Sequence, residues 1–240
     1  ADQGNSGPSE DAFVDPYNRQ AQGDYAQMVR AVLARRPDGA LYDCVRYPRL
    51  TGPSSVVSNV RNLWIYGPAA NQALVNRGTN GKGKELIRRF LQRGYLTDGD
   101  VAQVDSLYPN EGEPLWQSRN PPSVDPKDLA PASARRPGLQ EELWRLSVAH
   151  AIQGVVDFLQ AGAAPARQAG MPAGAVFFPY GNRSICSGYD ARLQQRNRFP
   201  AWMDAHPMVY ATCGNARWIV DEVQGVRGVR RYQRNVKPGR

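Results

Sequence analysis

The sequence predicts a mostly α-helical chain with irregular loops and a few short C-terminal strands, extended and organised by partners. Apolar residues recur at helical spacing in several segments of the 240-residue chain. The 23 glycines and 19 prolines indicate much irregular backbone. The formal net charge of +8 points to acidic partners.

The first helix is predicted over residues 24–36, where five apolar side chains share one helical face. These side chains are Tyr25, Met28, Val29, Val32 and Leu33. Asp24 is the expected N-cap, and Pro37 begins the turn that should end the helix. Residues 41–47, which include Cys44, are expected to form a short extended segment or loop.

Further helices are expected where apolar spacing and end signals coincide. Their predicted ranges are 53–64, 69–75, 84–93, 97–107 and 138–159. Gly94 occupies a natural C-cap position after one of them. Residues 161–174 are small and are expected to be flexible. Short strands are expected at 175–178, 208–212 and 217–223.

Five segments are expected along the chain. They are an N-terminal tail at 1–20, a helical half at 21–108, a linker at 109–137, a helical and cysteine-loop half at 138–226, and a basic tail at 227–240. The linker is predicted because this stretch is rich in Pro, Asn, Ser and Glu and is longer than an ordinary internal loop.

The basic residues are four lysines and twenty-six arginines. Arginine favours planar, bidentate pairing with carboxylates and phosphates. Acidic protein subunits of a large assembly are therefore the expected partners, and nucleic acid is the less favoured alternative. No apolar run approaches the ~20 residues of a membrane helix, so no membrane span is expected. The chain begins at Ala1 without methionine, which suggests a processed protein, exported or imported into an organelle.

A glycine-rich stretch at residues 78–84 reads GTNGKGK and fits the spacing G-x-x-x-x-G-K. It resembles the phosphate loop of folylpolyglutamate synthases over about six residues, which implies a nucleotide site. However, Glu85 stands where a Ser or Thr would bind Mg²⁺, and the preceding residues predict a helix end. A glycine-rich turn before a helix is the favoured interpretation.

A cysteine nucleophile is an alternative, with Cys186 or Cys44 activated by His206 or His150. The segment from Cys186 to Tyr189 resembles the start of the cysteine-peptidase helix in cell-wall amidases. That resemblance implies a secreted or periplasmic effector with hydrolase activity. His150, however, lies on the apolar face of its predicted helix, where a packed core histidine is favoured.

The three cysteines each have an aromatic residue and an arginine nearby. The candidate cofactor-binding residues are Tyr42, Asp43, Cys44, Arg46, Cys186, Tyr189, Asp190, Arg192, Tyr210, Cys213 and Arg217. A thioether-linked planar chromophore would use these side chains. Cysteine supplies the bond, arginine binds carboxylates, aspartate accepts pyrrole N–H groups and aromatic rings stack. A Cys186–Cys213 disulfide is the alternative. No structural zinc site is expected, because the histidines and cysteines lack the usual spacing.

The tripeptide from Cys44 to Arg46 resembles the C-x-R bilin attachment site of phycobiliproteins, although Tyr47 stands where that family usually has Asp. The basic, Arg-, Pro- and Gly-rich profile is similar to phycobilisome rod linkers, and the scattered cysteines to the bilin-bearing γ-type linkers of phycoerythrin. The resemblance implies a non-enzymatic light-harvesting linker inside an acidic phycobiliprotein hexamer. It also implies covalent phycoerythrobilin or phycourobilin, and a chloroplast location after transit-peptide removal. The alternatives are a periplasmic or secreted hydrolase and an RNA-binding assembly subunit.

Overall fold

The computed structural model describes residues 14–47, 56–57, 67–119, 121, 124–177, 189–190 and 194–207. The α-helices are α1 (Arg19–Leu33), α2 (Pro68–Val75), α3 (Gly81–Arg93), α4 (Asp98–Leu107) and α5 (Ala132–Gln168). The strands are β1 (Ala40–Tyr42), β2 (Val56–Val57), β3 (Ala173–Phe177), β4 (Tyr189–Asp190) and β5 (Asp204–Pro207). Short 3₁₀ turns lie at Pro126–Asp128 and Arg196–Arg198. The described chain is mostly helical, as the sequence predicts.

The chain divides into two compact units. Unit 1 comprises Ala1–Ala21 and Val57–Gly154, and unit 2 comprises Gln22–Val56 and Val155–Arg240. This division differs from the predicted one, in which residues 109–137 separate two halves. Leu115 and Trp116 of that stretch are buried within unit 1, because their apolar side chains pack into its core.

In unit 1, α3 buries the face that its spacing predicts. Leu86, Ile87 and Phe90 are each almost fully buried. Gly94 has a φ of 83°, and its amide donates to the Phe90 carbonyl at 2.7 Å, so the helix ends at the predicted left-handed C-cap. The helix begins three residues earlier than predicted, because the Asn80 side chain caps it.

Helix α4 begins with a capping box. The Thr97 hydroxyl accepts the Asp100 amide at 3.1 Å, and the Asp100 carboxylate accepts the Thr97 amide at 2.8 Å. Arg89 and Arg93 form ion pairs with the same carboxylate. Burial alone would raise the pKa of Asp100, but the hydrogen bonds from Arg93 and Thr97 outweigh it and lower that pKa.

Unit 2 contains a three-stranded parallel sheet in the order β1-β3-β5. The central strand aligns Ala173 with Ala40 and Ala175 with Ala205. One face of the sheet packs with residues of α1 and α5. The buried cluster between them comprises Val29, Tyr42, Leu159, Ala163, Ala166, Ala173, Ala175 and Met203. Strands β2 and β4 form a separate two-stranded sheet.

Helix α1 differs from its prediction in three ways, the first being that it ends at Leu33 and not at residue 36. It begins at Arg19, where Asn18 accepts the Ala21 amide at 3.1 Å, so Asp24 lies inside the helix and is not its N-cap. The predicted apolar face is also divided: Val29 is buried, with Tyr25 and Leu33 packed beside it, whereas the other two members are exposed. The exposed pair is Met28 and Val32.

Helix α5 is longer than predicted at both ends. It continues to Gln168, so the expected flexible segment at 161–174 is wrong over much of its length. Small residues permit this packing: Ala163 and Ala166 are fully buried, and the Tyr25 ring lies against Gly162. The predicted inner stripe is confirmed. Its buried members are Leu139, Leu143, Leu146, His150, Val155, Val156 and Leu159.

The remaining predicted elements have mixed outcomes. Helix α2 and strand β3 confirm the expected helix at 69–75 and the strand near 175–178. The helix expected at 53–64 is wrong at residues 56–57, which form β2. The strands expected at 208–212 and 217–223 lie outside the described residues.

Candidate functional site

The first cysteine loop follows directly after β1. Cys44 is exposed, has a φ of 58°, and its amide donates to the Asp43 carboxylate at 2.6 Å. The Arg46 guanidinium donates to the Tyr47 carbonyl at 3.3 Å. The left-handed backbone at Cys44 is uncommon for a residue other than glycine. The loop therefore presents an exposed thiol with one carboxylate and one guanidinium close by in sequence.

The ring of Tyr42 lies on the other side of this segment, inside the unit 2 core. It is 5% exposed and meets the Tyr25 ring edge to face, with the centroids 6.4 Å apart. Burial raises the pKa of Tyr42, and burial together with Tyr42 raises the pKa of Tyr25 to about 12. Tyr42 is therefore a core residue, and its buried ring is not a stacking surface for a ligand beside Cys44.

The other candidate cofactor residues are described only in part. Tyr189 and Asp190 form β4. The remaining ones lie outside the described residues: Cys186, Arg192, Tyr210, Cys213 and Arg217. In chain order, each cysteine follows one strand of the parallel sheet: Cys44 follows β1, Cys186 follows β3 and Cys213 follows β5. Of the three, only Cys44 lies within the described residues.

His150 is buried in a complete hydrogen-bond network of unit 1. Its Nε2 lies 2.9 Å from the Ala70 carbonyl, which can only accept, so Nε2 carries the proton. Its Nδ1 lies 3.2 Å from Nε of Arg77 and 2.9 Å from the Tyr17 hydroxyl. Burial and the Arg77 charge lower the pKa of His150 to about 3. The predicted core histidine is confirmed, and this imidazole is not an accessible base.

Asp15 supports the same region by capping α2. Its Oδ2 accepts the amides of Ala69 and Ala70 at 3.0 Å each, and its Oδ1 accepts the Tyr17 amide at 2.9 Å. A Cβ at Gly67 would collide with the Asp15 carboxylate, so glycine is needed there. The carboxylate occupies the positive end of the helix and holds the segment before α1 in place.

The glycine-rich stretch at 78–84 is a turn packed into unit 1. The first amides of α3 already have acceptors: Lys82 donates to the Glu111 carboxylate at 2.6 Å and Gly83 to the Asn80 side chain at 2.8 Å. The Lys82 ammonium is buried and pairs with Asp105 at 3.0 Å. The stretch follows helix α2, not a strand. The favoured glycine-rich turn is confirmed, and the amides that a phosphate would need are occupied.

The arginines of unit 1 are mostly paired with carboxylates of the same unit. Those in ion pairs are Arg88, Arg89, Arg93, Arg119, Arg135, Arg136 and Arg145. In unit 2, three exposed arginines at the end of α1 form no ion pair with any described residue: Arg30, Arg35 and Arg36. Their charge is therefore available to an outside partner.

Helix α1 also carries two exposed apolar side chains that nothing in the described chain covers. Met28 is 58% exposed and Val32 is 56% exposed. Met28 and Val32 lie one turn apart on the same side of α1, and Arg35 follows two residues after the helix ends at Leu33. We call these three residues the α1 outer face. The sequence spacing identified Met28 and Val32 as part of an apolar helix face, but it predicted that this face is buried in the core.

The described residues offer neither a cluster of metal ligands nor a membrane-spanning helix. No group of three or more His, Cys, Asp and Glu side chains there could hold a metal ion. No helix among the described residues is long and apolar enough to cross a membrane. No protein-family model, curated protein sequence or solved structure matches the chain.

Proposed function

We propose that the chain is a non-enzymatic subunit of a larger assembly and binds an acidic protein partner. The observation that carries this proposal is the α1 outer face. Its two apolar side chains are exposed, and Arg35, just after the helix, forms no ion pair with any described residue. Exposed apolar groups favour association because burying them removes them from water. Unpaired arginines favour an acidic partner and speed its approach.

The contrast between the two units supports this proposal. Unit 1 places its arginines against its own carboxylates, as in the contacts of Arg119 with Glu113 and Glu142. Arg30 and Arg36 of unit 2 have no such contacts with described residues.

Of the two described histidines, His150 has both ring nitrogens hydrogen-bonded within the core and gives the hydrolase alternative no support. His206 lies in β5 opposite Val176 of β3, with its ring against Gly174. The hydrolase and RNA-binding alternatives stay predictions.

A more specific form of the proposal is a bilin-carrying light-harvesting linker inside an acidic phycobiliprotein hexamer. Its support is the exposed thiol of Cys44, with Asp43 and Arg46 in the same loop, and the order of the three cysteines after the three parallel strands. In this form, Cys44 carries a thioether-linked phycoerythrobilin or phycourobilin, and Arg46 binds a propionate carboxylate.

Native purification from the source organism tests both forms. The expected result is a stoichiometric complex with an acidic protein, seen by native mass spectrometry and dissociated by salt. Recovery of the 26.5 kDa chain alone at low salt would contradict the proposed function. The absorption spectrum and mass of the denatured chain decide the bilin form. A colourless chain of the bare sequence mass would remove that form and leave the assembly proposal standing.

A further inference from the structure

The segment just before α1 docks onto unit 1 through two anchoring side chains. We call residues 14–18 the strap. The Asp15 carboxylate accepts two backbone amides in the first turn of α2 at 3.0 Å each. The Tyr17 ring stacks on the His150 imidazole, and its hydroxyl donates to the His150 carbonyl at 2.7 Å. A charged anchor and an aromatic anchor two residues apart are what a short bound peptide would present.

The surface that receives the strap is shaped for it. A Cβ at Gly67 would collide with the Asp15 carboxylate, and one at Gly154 would lie 2.8 Å from the Tyr17 ring. One glycine therefore makes room at each anchor. Gly67 is also the N-cap residue of α2 and offers no side-chain cap, so the first amides of α2 depend on the strap. We call the site formed by Gly67, the first turn of α2, His150 and Gly154 the strap pocket.

The strap pocket is positive, and the strap belongs to an acidic part of the chain. The positive end of α2 faces Asp15. The Arg77 guanidinium donates to Nδ1 of His150 at 3.2 Å and forms no ion pair with any described residue. Residues 1–18 contain four of the 22 acidic residues of the chain and none of the 30 basic ones. A second copy therefore offers an acidic segment to a basic body, and charge favours its strap as a ligand.

The same contacts form whether the strap and the pocket belong to one copy or to two, because the same atoms meet in both cases. In the described chain the strap occupies its own pocket. Chain connectivity gives that strap a high effective concentration, so exchange needs copies that are held close together, as in an assembly. We propose that the strap pocket is an exchangeable peptide site, into which the strap of a second copy docks. This inference does not require the acidic partner of the proposed function.

Two full-length variants test the exchange. Gly154→Val blocks the pocket and frees the strap, because the three atoms nearest its Cβ belong to the strap. Asp15→Ala with Tyr17→Ala disables the strap and leaves the pocket open. When mixed, the two should form a 1:1 heterodimer in analytical ultracentrifugation, whereas neither should associate alone. Gly138→Val is the matched control, because it lies in the same helix with nothing within 4 Å of its Cβ. In place of Gly154→Val, it should pair at least tenfold more weakly.

A labelled peptide of residues 13–20 gives a second measurement, because it supplies the chain's own strap in trans. Its Kd for the strap-disabled variant is measured by fluorescence anisotropy. The peptide should bind that variant, and the same peptide with Tyr17→Ala should bind at least tenfold more weakly. Wild-type chain should also bind the peptide at least tenfold more weakly, because its own strap occupies the pocket. Tyr17→Ala alone, which keeps the cap of α2, replaces the double variant if that variant does not melt cooperatively.

Other results overturn the inference. These are a peptide that binds neither protein, a peptide that binds the wild type as tightly as the strap-disabled variant, and heterodimers that form equally well with Gly138→Val. If the peptide binds as expected but the two folded variants do not pair, the pocket takes a segment of a different protein and the second copy is the wrong occupant. If Gly154→Val does not fold, the peptide measurement decides. A native purification without an acidic partner would leave these results unchanged, so the two proposals fail independently.

Discussion

The ring of Tyr17 stacks on the imidazole of His150 with the centroids 4.1 Å apart, and the Tyr17 hydroxyl donates to the His150 carbonyl at 2.7 Å. A segment before α1 is thereby fixed to the middle of α5. Tyr17→Phe keeps the stacked ring and removes the hydroxyl, so the free energy of unfolding should fall by about 1 kcal/mol. Urea titration measures it. Tyr95→Phe is the control, because Tyr95 is 49% exposed and should change stability little.

The buried His150 should make stability depend on pH. Its pKa is about 3 when folded and 6.5 in the unfolded chain. Between these pH values, the imidazole is protonated in the unfolded chain and neutral in the folded chain. The free energy of unfolding is therefore highest above pH 6.5 and falls as the pH drops toward 3. The slope from this one group approaches about 1.4 kcal/mol per pH unit. His150→Gln removes that slope, and equal pH dependence in both proteins would contradict the account.

Gly83 should not tolerate a side chain. A Cβ there would overlap the backbone carbonyl of Leu115, which accepts the Thr79 amide at 3.0 Å and would have to shift. Gly83→Ala should destabilise unit 1 by about 3 kcal/mol or more, as in overpacked cores. Gly23→Ala is the matched change, because nothing lies within 4 Å of the added methyl inside α1. It should stabilise by about 0.5–1 kcal/mol. Thermal melts of the two variants compare them directly.

The capping box of α4 gives a separate stability prediction. Thr97→Ala removes the acceptor for the Asp100 amide and should cost about 1 kcal/mol in the free energy of unfolding. Ser106→Ala is the control, because its hydroxyl only bonds back to the Ala102 carbonyl within the same helix. Denaturant titrations should therefore separate the two. Equal losses would mean that the box does not set the start of α4.

Local signals predicted the end of α3 and the start of α4. Thr97 and Gly94 mark ends that depend only on neighbouring residues, and α3 and α4 begin or end where they indicate. The apolar face of α5 that includes His150 was also predicted from sequence spacing, because this helix buries that face. Local signals did not predict the elements whose bounds depend on contacts with residues far away in sequence. The end of α5 persists through small residues because Gly162 contacts Tyr25, which is far away in sequence.

The sheet and the α1 outer face were not predictable in the same way. Strand β1 has three residues, and its pairing with β3 joins positions more than a hundred residues apart. No local pattern encodes such a pairing. The apolar spacing of α1 correctly found Met28 and Val32, but spacing cannot distinguish a core from an interface. Only the exposed fraction of each side chain separates Val29 from these two.

Charge should control binding at the α1 outer face. With the co-purified acidic partner, the Kd of the wild-type chain is measured across a series of NaCl concentrations. The account predicts that Kd rises steeply with salt, because unpaired arginines and acidic groups are screened. Arg35→Glu should bind more weakly with a flatter salt dependence. Arg145→Glu should match the wild type, because Arg145 is exposed but already paired with Glu141. A wild-type Kd that does not change with salt, or equal loss in both variants, would contradict the central claim.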